Sequence, residues 1–308
     1  MSWQPSAALS ALQARARMNH IIRHFFYERE VLEVETPLLS QAAVVDPNIE
    51  PMQTQHGRWL HTSPEYAMKR LLCAGSGDIY QLTKVFRHGE AGRKHNPEFT
   101  MLEWYRVGVT LRQLQHEVAD LFARLLAPRY VNLPVLFLSY DEAMTQYAHI
   151  SVHDAADESL SDLGISLAGQ DLHLTRDGWL DVIMSHAVEP ALPKRTLVFI
   201  DDFPASQAAL ARVEPNGQGQ CVARRFELFF NGIELANGYH ELTDADEQRQ
   251  RFMAQAQGRP LDEHLLSALA QGPLPDCCGV AMGLDRVLML QQEAQHIADV
   301  LSFDWSRA

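Results

Sequence analysis

The sequence predicts one α+β domain over residues 1–308, built on a mainly antiparallel sheet. Two pairs of extended segments have hairpin character: one flanks a polar tip at 88–96, and the other flanks the turn dipeptide Asn231-Gly232. Helical patterns are grouped between and after these hairpins instead of alternating with single strands, which favours α+β over α/β. The 308 residues are 46% apolar and 21% charged, a globular composition with enough apolar material for a core.

The N-terminal part opens with an amphipathic helix. Apolar residues recur near helical spacing over 7–30, and residues 31–37 form a short extended segment closed by Pro37. Residues 40–55 have the composition of a loop. The patterns that follow predict a strand at 59–61, a helix over 64–74 with Pro64 in its first turn, strands at 79–87 and 97–107, and a helix over 111–126.

The stretch 128–195 is interpreted as a helical insertion. Ser139 and Glu142 form a capping-box pattern that opens one of its helices. The remaining patterns predict helices near 153–161 and 177–187, strands at 197–200, 222–230 and 233–238, helices near 244–257 and 262–271, a strand at 277–282 and a final helix at 284–291.

Charge and cysteine content exclude several classes of protein. Lys and Arg number 26 and Asp and Glu number 39, a formal charge of −13, which argues against a broad nucleic-acid-binding surface. No apolar run approaches the roughly 20 residues that span a bilayer, and the N-terminus lacks the pattern of a secretory leader. The four cysteines, including the adjacent pair Cys277-Cys278, are too few for a disulfide framework and lack zinc-site spacing. We therefore expect a reduced, cytoplasmic protein with no membrane association.

The polar tip of the first hairpin is the first segment with chemical character. Residues 87–96 read RHGEAGRKHN, which places three cations and two histidines around a turn. Arginine presents a planar fork of donors that matches phosphate oxygens, so a polyphosphate is a suitable ligand. Alternation places Phe99, Met101, Glu103 and Tyr105 on one face of the return strand, where an aromatic ring could stack on a base. A solvated hairpin tip beside an amphipathic strand would explain the same composition.

Two later segments carry polar groups near the ends of predicted elements. Gly283 ends a strand, and Arg286 falls in the first turn of the next helix, where backbone amides already favour an anion. Glu234 and Asn237 offer oxygens of the kind that Mg²⁺ prefers. Strict alternation puts these two on opposite faces, so their convergence requires a bulge, expected near Gly238. A structural strand–helix junction and a polar edge strand are the alternatives.

Together and in this order, these segments resemble the three signature motifs of class II aminoacyl-tRNA synthetases. The helix and strand closed by Pro37 resemble motif 1, the segment from Phe86-Arg87 to Phe99 resembles motif 2, and 279–286 resembles motif 3. The similarity is greatest to lysyl-tRNA synthetases and extends from about residue 7 to the end of the chain. Its further marks are Thr62-Ser63-Pro64-Glu65, Lys69-Arg70-Leu71, His95–Met101 and Asn237–Asp244.

Bacterial lysyl-tRNA synthetases carry an OB-fold anticodon domain ahead of motif 1. Here the motif 1 helix begins within the first ten residues, so we expect no anticodon module and, with the acidic charge, no tRNA substrate. This form resembles the elongation factor P–(R)-β-lysine ligase family. Two positions depart from lysyl-tRNA synthetases. Gly89 stands where motif 2 often has a glutamate, with Glu90 after it, which leaves open which carboxylate meets the nucleotide, and Ala281 replaces a typical glycine, as in the ligase family.

The resemblance implies a two-step, AMP-forming ligase reaction that uses ATP and Mg²⁺. The carboxylate of (R)-β-lysine attacks the α-phosphorus of ATP, and the ε-amine of a lysine on elongation factor P then attacks the adenylate. Arg87 and Arg286 are implied as catalytic residues that position the phosphates and stabilise their charge. The implied ATP-binding residues are Arg87, His88, Gly89, His95, Asn96, Phe99, Glu234, Leu235, Gly283 and Arg286, and the implied Mg²⁺ ligands are Glu234 and Asn237.

The same resemblance implies a pocket for the amino acid. Its residues are Ser63, Pro64, Glu65, Tyr105, Glu241 and Ala281, with Glu65 and Glu241 binding the two ammonium groups. We hypothesise that the methyl group of Ala281 crowds an α-amino group and leaves a β-amino group free, a steric effect worth about 1–3 kcal/mol. A first-turn acid, a core aromatic and a cap would explain Glu65, Tyr105 and Glu241 without any ligand.

The motif 1 resemblance also implies a homodimer. Two other functions stay open: a free-standing lysine activator that loads tRNA or another carrier, and a non-catalytic, synthetase-like regulatory module. Such modules tend to lose the motif arginines, whereas Arg87 and Arg286 are both present in this chain.

Overall fold

A computed structural model describes residues 3–46 and 49–308. The chain divides into two compact units, of which the first comprises Met1–Val131 and Glu241–Ala308 and the second Asn132–His240. Most of the insertion predicted over 128–195 falls within the second unit, and one functional domain over 1–308 stays a prediction. Among the described residues, no helix combines the length and apolar character needed to cross a membrane.

The elements follow in a simple order. Up to residue 131 they are α1 (Leu9–Tyr27), β1 (Leu32–Glu33), β2 (Leu39–Ser40), β3 (Trp59–Leu60), α2 (Glu65–Cys73), β4 (Ile79–Phe86), β5 (Glu98–Val107) and α3 (Leu111–Leu126). The second unit contains β6 (Val135–Ser139), α4 (Tyr140–Ala148), α5 (Asp157–Ala168), α6 (Arg176–Ile183), a π-helical turn at Met184–Val188, α7 (Glu189–Ala191), β7 (Leu197–Pro204), a 3₁₀ turn at Ala205–Gln207, β8 (Val213–Pro215), β9 (Cys221–Phe230) and β10 (Ile233–His240). The first unit then resumes with α8 (Ala245–Gln255), α9 (Glu263–Gln271), β11 (Cys277–Gly283), α10 (Leu284–Gln292) and a 3₁₀ turn at Ile297–Val300.

The sheet of the first unit presents the face on which the candidate site is built. β5 lies between β4 and β11 and pairs antiparallel with both, while β1 pairs in parallel with β4. The register places Tyr105 opposite Gly279 and Glu103 opposite Ala281. Because side chains alternate along a strand and opposite residues share a face, these four positions lie on the same side of the sheet.

Helix α1 packs its apolar stripe on this sheet. Met18, Ile22, Phe25 and Phe26 are fully buried, in agreement with the amphipathic pattern. Phe26 stacks on Tyr80 of β4 with ring centroids 4.2 Å apart. Burying a side chain of this size contributes about 1.5–3 kcal/mol, so this aromatic contact helps to fix α1 on β4.

The strands of the second unit pair around β9. β7, β8 and β10 are antiparallel to β9, and β6 is parallel to β7. The predicted turn is confirmed, since Asn231 and Gly232 both have positive φ values, 54° and 72°, as a tight hairpin of this type requires. The sequence reading missed β6 and β8, and it ended β7 at Ile200 although the strand continues to Pro204.

Most predicted elements are confirmed within a few residues, and the capping box of α4 forms in full. The helix expected near 153–161 is displaced and begins only at Asp157. The physical reason is a local competition: Asp141 accepts hydrogen bonds from Ser151 Oγ and Val152 N, at 2.9 and 2.6 Å, which fixes the preceding residues against α4 as a loop.

Candidate active site

Four ionisable side chains form a buried group in the first unit, which we call the carboxylate cluster: Glu65, Lys69, Glu103 and Glu241. Their exposed fractions are 9, 2, 2 and 1%. The Lys69 ammonium bridges two of the acids, with Nζ 2.7 Å from Glu65 Oε1 and 2.6 Å from Glu241 Oε2. Burial of charge is tolerated only where groups are paired, which this bridge provides.

Helix α2 delivers two members of the cluster by its geometry. Glu65 and Lys69 are four residues apart and therefore occupy the same face. Pro64 stands at the N-cap position, and Ser63 Oγ accepts a hydrogen bond from Glu65 N at 3.0 Å, which satisfies one amide of the first turn. The predicted residues Ser63, Pro64 and Glu65 are thus one local structure that aims a carboxylate inward.

Glu103 is held by two hydroxyl donors. Ser63 donates to its Oε2 at 2.7 Å and Tyr105 donates to its Oε1 at 2.8 Å. Burial, with the negative charge of Glu65, raises the pKa of Glu103 to about 8, against the lowering effect of the two donors. Burial also raises the pKa of Tyr105 well above its ordinary value, so its hydroxyl remains a donor at neutral pH.

The neighbouring strand β11 closes the site with small residues. A Cβ atom at Gly279 would lie 2.4 Å from Tyr105 Cε1 and 2.6 Å from Glu241 Oε1, so only glycine fits there without a shift of its neighbours. Ala281, two residues on, points to the same side of the sheet and stands opposite Glu103 in the register. Its methyl group therefore lies on the face that carries the carboxylates.

A residue of motif 2 and a residue of motif 3 are in contact. Arg286, in the first turn of α10, donates to Nε2 of His95. The Arg87 guanidinium lies over the Phe99 ring, 5.0 Å from its centroid, a cation–π arrangement. Two arginines and a histidine on converging segments give a set of donors suited to phosphate oxygens.

Backbone geometry explains the departure at Gly89. Its φ is +77°, in the left-handed region, where a glutamate would be strained. The next residue, Glu90, places Oε1 3.7 Å from Arg87 Nη1. His88 donates its backbone amide to the carbonyl of Glu50 at 2.8 Å, which fixes the start of the loop.

Buried polar groups hold these segments in place. Asp285, 2% exposed, pairs with Arg15 of α1 and accepts from the backbone amide of Thr100 at 2.7 Å, so one carboxylate joins α1, β5 and α10. Asn96 donates to the Glu98 carbonyl at 2.6 Å and accepts from Trp305 N at 2.9 Å. Its amide is engaged with backbone at both ends, and its contact with a nucleotide stays a prediction. Gly283 begins α10 with open space beside its Cα.

The second unit carries the predicted metal ligands. A register shift between Glu234 and Ala236 places the bulge at Leu235, not near Gly238 as the sequence reading expected. The extra residue brings Glu234 and Asn237 to one face, because they now pair with Phe229 and Glu227, two residues apart on β9. The convergence that the prediction required is therefore present, at a different position.

Arg225 organises that face of the second unit. Its Nε donates to Asn237 Oδ1 at 3.1 Å, and the same guanidinium pairs with Glu227. Burial and the negative charge of Glu234 raise the pKa of Glu227 to about 8, in spite of the arginine. A group of three or more His, Cys, Asp or Glu side chains able to hold a metal is absent from the residues that the structure describes.

Sequence reasoning missed five functional candidates. Glu103, Glu227 and Arg225 read as ordinary polar positions of amphipathic strands, and Gly279 reads as part of a strand motif. Lys69 belonged to a string that carried the family resemblance, yet no role was attached to it. The available signal was a lysine four residues after a glutamate in a predicted helix that is apolar apart from these two residues and Arg70.

Comparison with known proteins agrees with the resemblance. A family model described as tRNA synthetases class II (D, K and N) matches residues 1–306. The chain is 44% identical to an elongation factor P–(R)-β-lysine ligase of Edwardsiella ictaluri, over 100% of this chain and 98% of that protein. Proteins of the same name from Salmonella dublin and Pectobacterium atrosepticum are 44 and 43% identical, with the same coverage.

Proposed function

Since this chain belongs to the class II tRNA synthetases (D, K and N) and, within them, to the elongation factor P–(R)-β-lysine ligases, we propose that it joins (R)-β-lysine to elongation factor P, using ATP. In the first step a carboxylate oxygen bonds to the α-phosphorus of ATP and pyrophosphate leaves. In the second, the ε-amine of an acceptor lysine attacks the acyl carbon, AMP leaves, and the nitrogen loses a proton as the amide forms.

The carboxylate cluster is the observation that carries this proposal. Three buried acids face one internal ammonium, an arrangement that favours a ligand with more than one positive charge. Glu65 and Glu241 bind the two ammonium groups of β-lysine, with Ser63, Pro64 and Tyr105 lining the pocket. A charge-assisted hydrogen bond of this kind contributes about 1.5–3 kcal/mol, which is sufficient to select a diamino acid over a neutral analogue.

The activation step uses the arginine and histidine donors of motifs 2 and 3. Arg87 holds the α-phosphate and the substrate carboxylate, while His95 and Arg286 hold the β- and γ-phosphates. The contact between Arg286 and His95 and the placement of Arg87 over Phe99 support this assignment, because donors held in position beforehand can stabilise the negative charge that develops on the phosphoryl oxygens. Phe99 stacks on adenine, and the remaining ATP contacts are those of His88, Gly89, Asn96, Leu235 and Gly283.

The residues of the second unit fit a magnesium ion bound with phosphates. Mg²⁺ commonly uses one or two protein oxygens together with phosphate and water oxygens, so a carboxylate and an amide suffice. Glu234 and Asn237 supply these and share a face, with Arg225 orienting the amide. The ion would neutralise negative charge on the phosphates during activation.

A protein acceptor is favoured over tRNA by the acidic composition of the chain. The formal charge of −13 opposes broad contact with a polyanion, and relatives 43–44% identical are named for a protein substrate. We assign the reaction to the cytoplasm. We also propose a homodimer, because apolar side chains at the end of α1 and after it are exposed: Tyr27 at 80%, Leu32 at 55% and Leu39 at 47%.

The decisive experiment is mass spectrometry of purified elongation factor P. It is incubated with this protein, ATP and (R)-β-lysine, and we expect a mass increase of one β-lysyl residue on a single lysine. Parallel reactions contain tRNA and radiolabelled lysine, and a matched Arg286→Ala reaction tests whether the motif 3 arginine is required. Label on tRNA, or an unmodified factor beside an active pyrophosphate exchange, would overturn the assignment of the acceptor.

A further inference from the structure

We propose that Lys69 is a positioning and specificity-determining residue that sets the charge of the amino-acid pocket. Its ammonium bridges Glu65 and Glu241. When all three acids of the carboxylate cluster are ionised, the cluster therefore carries two more negative than positive charges. A ligand with two ammonium groups completes that balance. This inference rests on the proposed function, because it concerns the same pocket, and it adds a role for a lysine that touches no reacting atom.

The Lys69 ammonium is held by two carboxylates. Its side chain is 2% exposed, with its ammonium within 2.7 Å of two carboxylates contributed by different segments of the first unit. Both neighbouring acids raise the pKa of Lys69, against the effect of burial, so the group stays charged. Burial of the Lys69 ammonium requires the free energy of removing a charge from water. An apolar residue of similar volume would fill the same space without that desolvation penalty, so packing alone does not explain a lysine here.

The charge count then determines how a ligand binds. With Glu103 protonated, the ligand-free cluster carries two negative charges and one positive charge. Two incoming ammonium groups give an excess of positive charge, which the loss of the Glu103 proton removes. The pKa of Glu103, raised to about 8, places that proton within reach near neutral pH. Binding of a diamino acid should therefore release about one proton.

Three other titratable groups beside the cluster stay neutral near pH 7. Burial raises the pKa of Tyr66 and of Cys277 far above neutral, and Tyr105 is likewise held in its neutral form. The negative charge of Asp262 adds to the rise in the pKa of Tyr66. The Asp262 side chain also caps α9, where it accepts a hydrogen bond from Leu265 N at 2.9 Å. Glu103, whose pKa is raised to about 8, is the group that we expect to lose a proton when the ligand binds.

Calorimetry of β-lysine binding, without ATP, tests the inference on the intact protein. For the wild type we expect about one proton released per ligand at pH 7, from titrations in two buffers of different ionisation enthalpy. The dissociation constant should fall about tenfold per pH unit between pH 6 and 7.5, the slope of one released proton. In Lys69→Gln, two carboxylates and two ammonium groups balance with Glu103 still protonated. The constant should then vary less than threefold over that range.

Two variants separate charge from structure. Lys69→Arg keeps the charge and should restore the slope, whereas Lys84→Gln removes an exposed lysine of β4 and should leave the wild-type slope unchanged. The inference would be overturned if the dissociation constant for β-lysine depended on pH in the same way in the wild type and in Lys69→Gln. In that case, pyrophosphate exchange with β-lysine would still uphold the proposed function. Should Lys69→Gln fail to fold, an absence of proton release from the wild type would overturn it as well. Failure of every diamino acid to bind would refute both.

Discussion

Replacement of Gly279 by alanine should selectively damage amino-acid binding. The added Cβ would lie 2.4 and 2.6 Å from Cε1 and Cδ1 of Tyr105, about 1 Å closer than the 3.4 Å at which ordinary contact begins. The ring must therefore retreat by about that distance, and its hydroxyl then leaves hydrogen-bond range of Glu103, now 2.8 Å away. The same Cβ would lie 2.6 Å from Glu241 Oε1 and displace that carboxylate too.

The expected loss follows from those two displacements. A hydrogen bond to a charged group contributes about 1.5–3 kcal/mol, and overpacking of a tight site costs about 1–3 kcal/mol. We therefore expect KM for β-lysine to rise about 10- to 100-fold, at roughly 1.4 kcal/mol per factor of ten. KM for ATP should change by less than threefold, because the clash lies among the carboxylates and not near Arg87 or Arg286.

Pyrophosphate exchange, titrated separately with β-lysine and ATP, measures both constants. Gly217→Ala is the matched control, since that glycine is exposed and a Cβ there meets nothing within 4 Å. Thermal melting establishes that each variant is folded. A folded Gly279→Ala enzyme with an unchanged KM for β-lysine would refute the placement of the pocket between β5 and β11.

Three further predictions address single groups of the pocket. Glu65→Gln and Glu241→Gln should each raise KM for β-lysine at least tenfold, from loss of about 1.5–3 kcal/mol, and a normal KM in exchange assays would exclude an ammonium contact. Ala281→Gly should raise α-lysine activation relative to β-lysine by about 5- to 150-fold, from about 1–3 kcal/mol of relieved crowding, and an unaltered preference would discard the steric account. Because the folded-state pKa of Glu103 is raised from 4.5 to about 8, the folded protein retains a proton that the unfolded chain loses, and stability falls as pH rises through this window. Between pH 6 and 8, the free energy of unfolding of Glu103→Gln, measured in urea, should therefore fall by about 2 kcal/mol less than that of the wild type. An equal fall in both proteins would show that Glu103 is ionised throughout this range.

Local features were predictable because their causes are local. The Thr110 capping box and the apolar period define α3 at Leu111–Leu126, where the sequence reading placed it. The Asn231-Gly232 dipeptide defines its hairpin because few other residue pairs accept two positive φ angles. β6 was not predicted because this five-residue strand runs directly into the capping box of α4, so no turn residues mark its end.

The bulge in β10 shows where local reasoning ends. The sequence indicated that Glu234 and Asn237 needed an irregularity to converge, but Gly238 was the only local marker for its position. The register with β9 decides the matter, because a bulge forms where two strands fall out of step. That property belongs to the pair of strands and is not encoded in either one alone.

The order of the residues alone predicted the α+β class, the motif segments and the arginines that we propose as phosphate ligands, since periodicity, turn chemistry and motif strings are carried by neighbours in sequence. Tertiary structure alone decided that Lys69 ties Glu65 to Glu241, that burial raises the pKa of Glu103, and that Gly279 must lack a side chain. The physical reason is that burial and electrostatic coupling depend on distances between atoms that lie far apart along the chain.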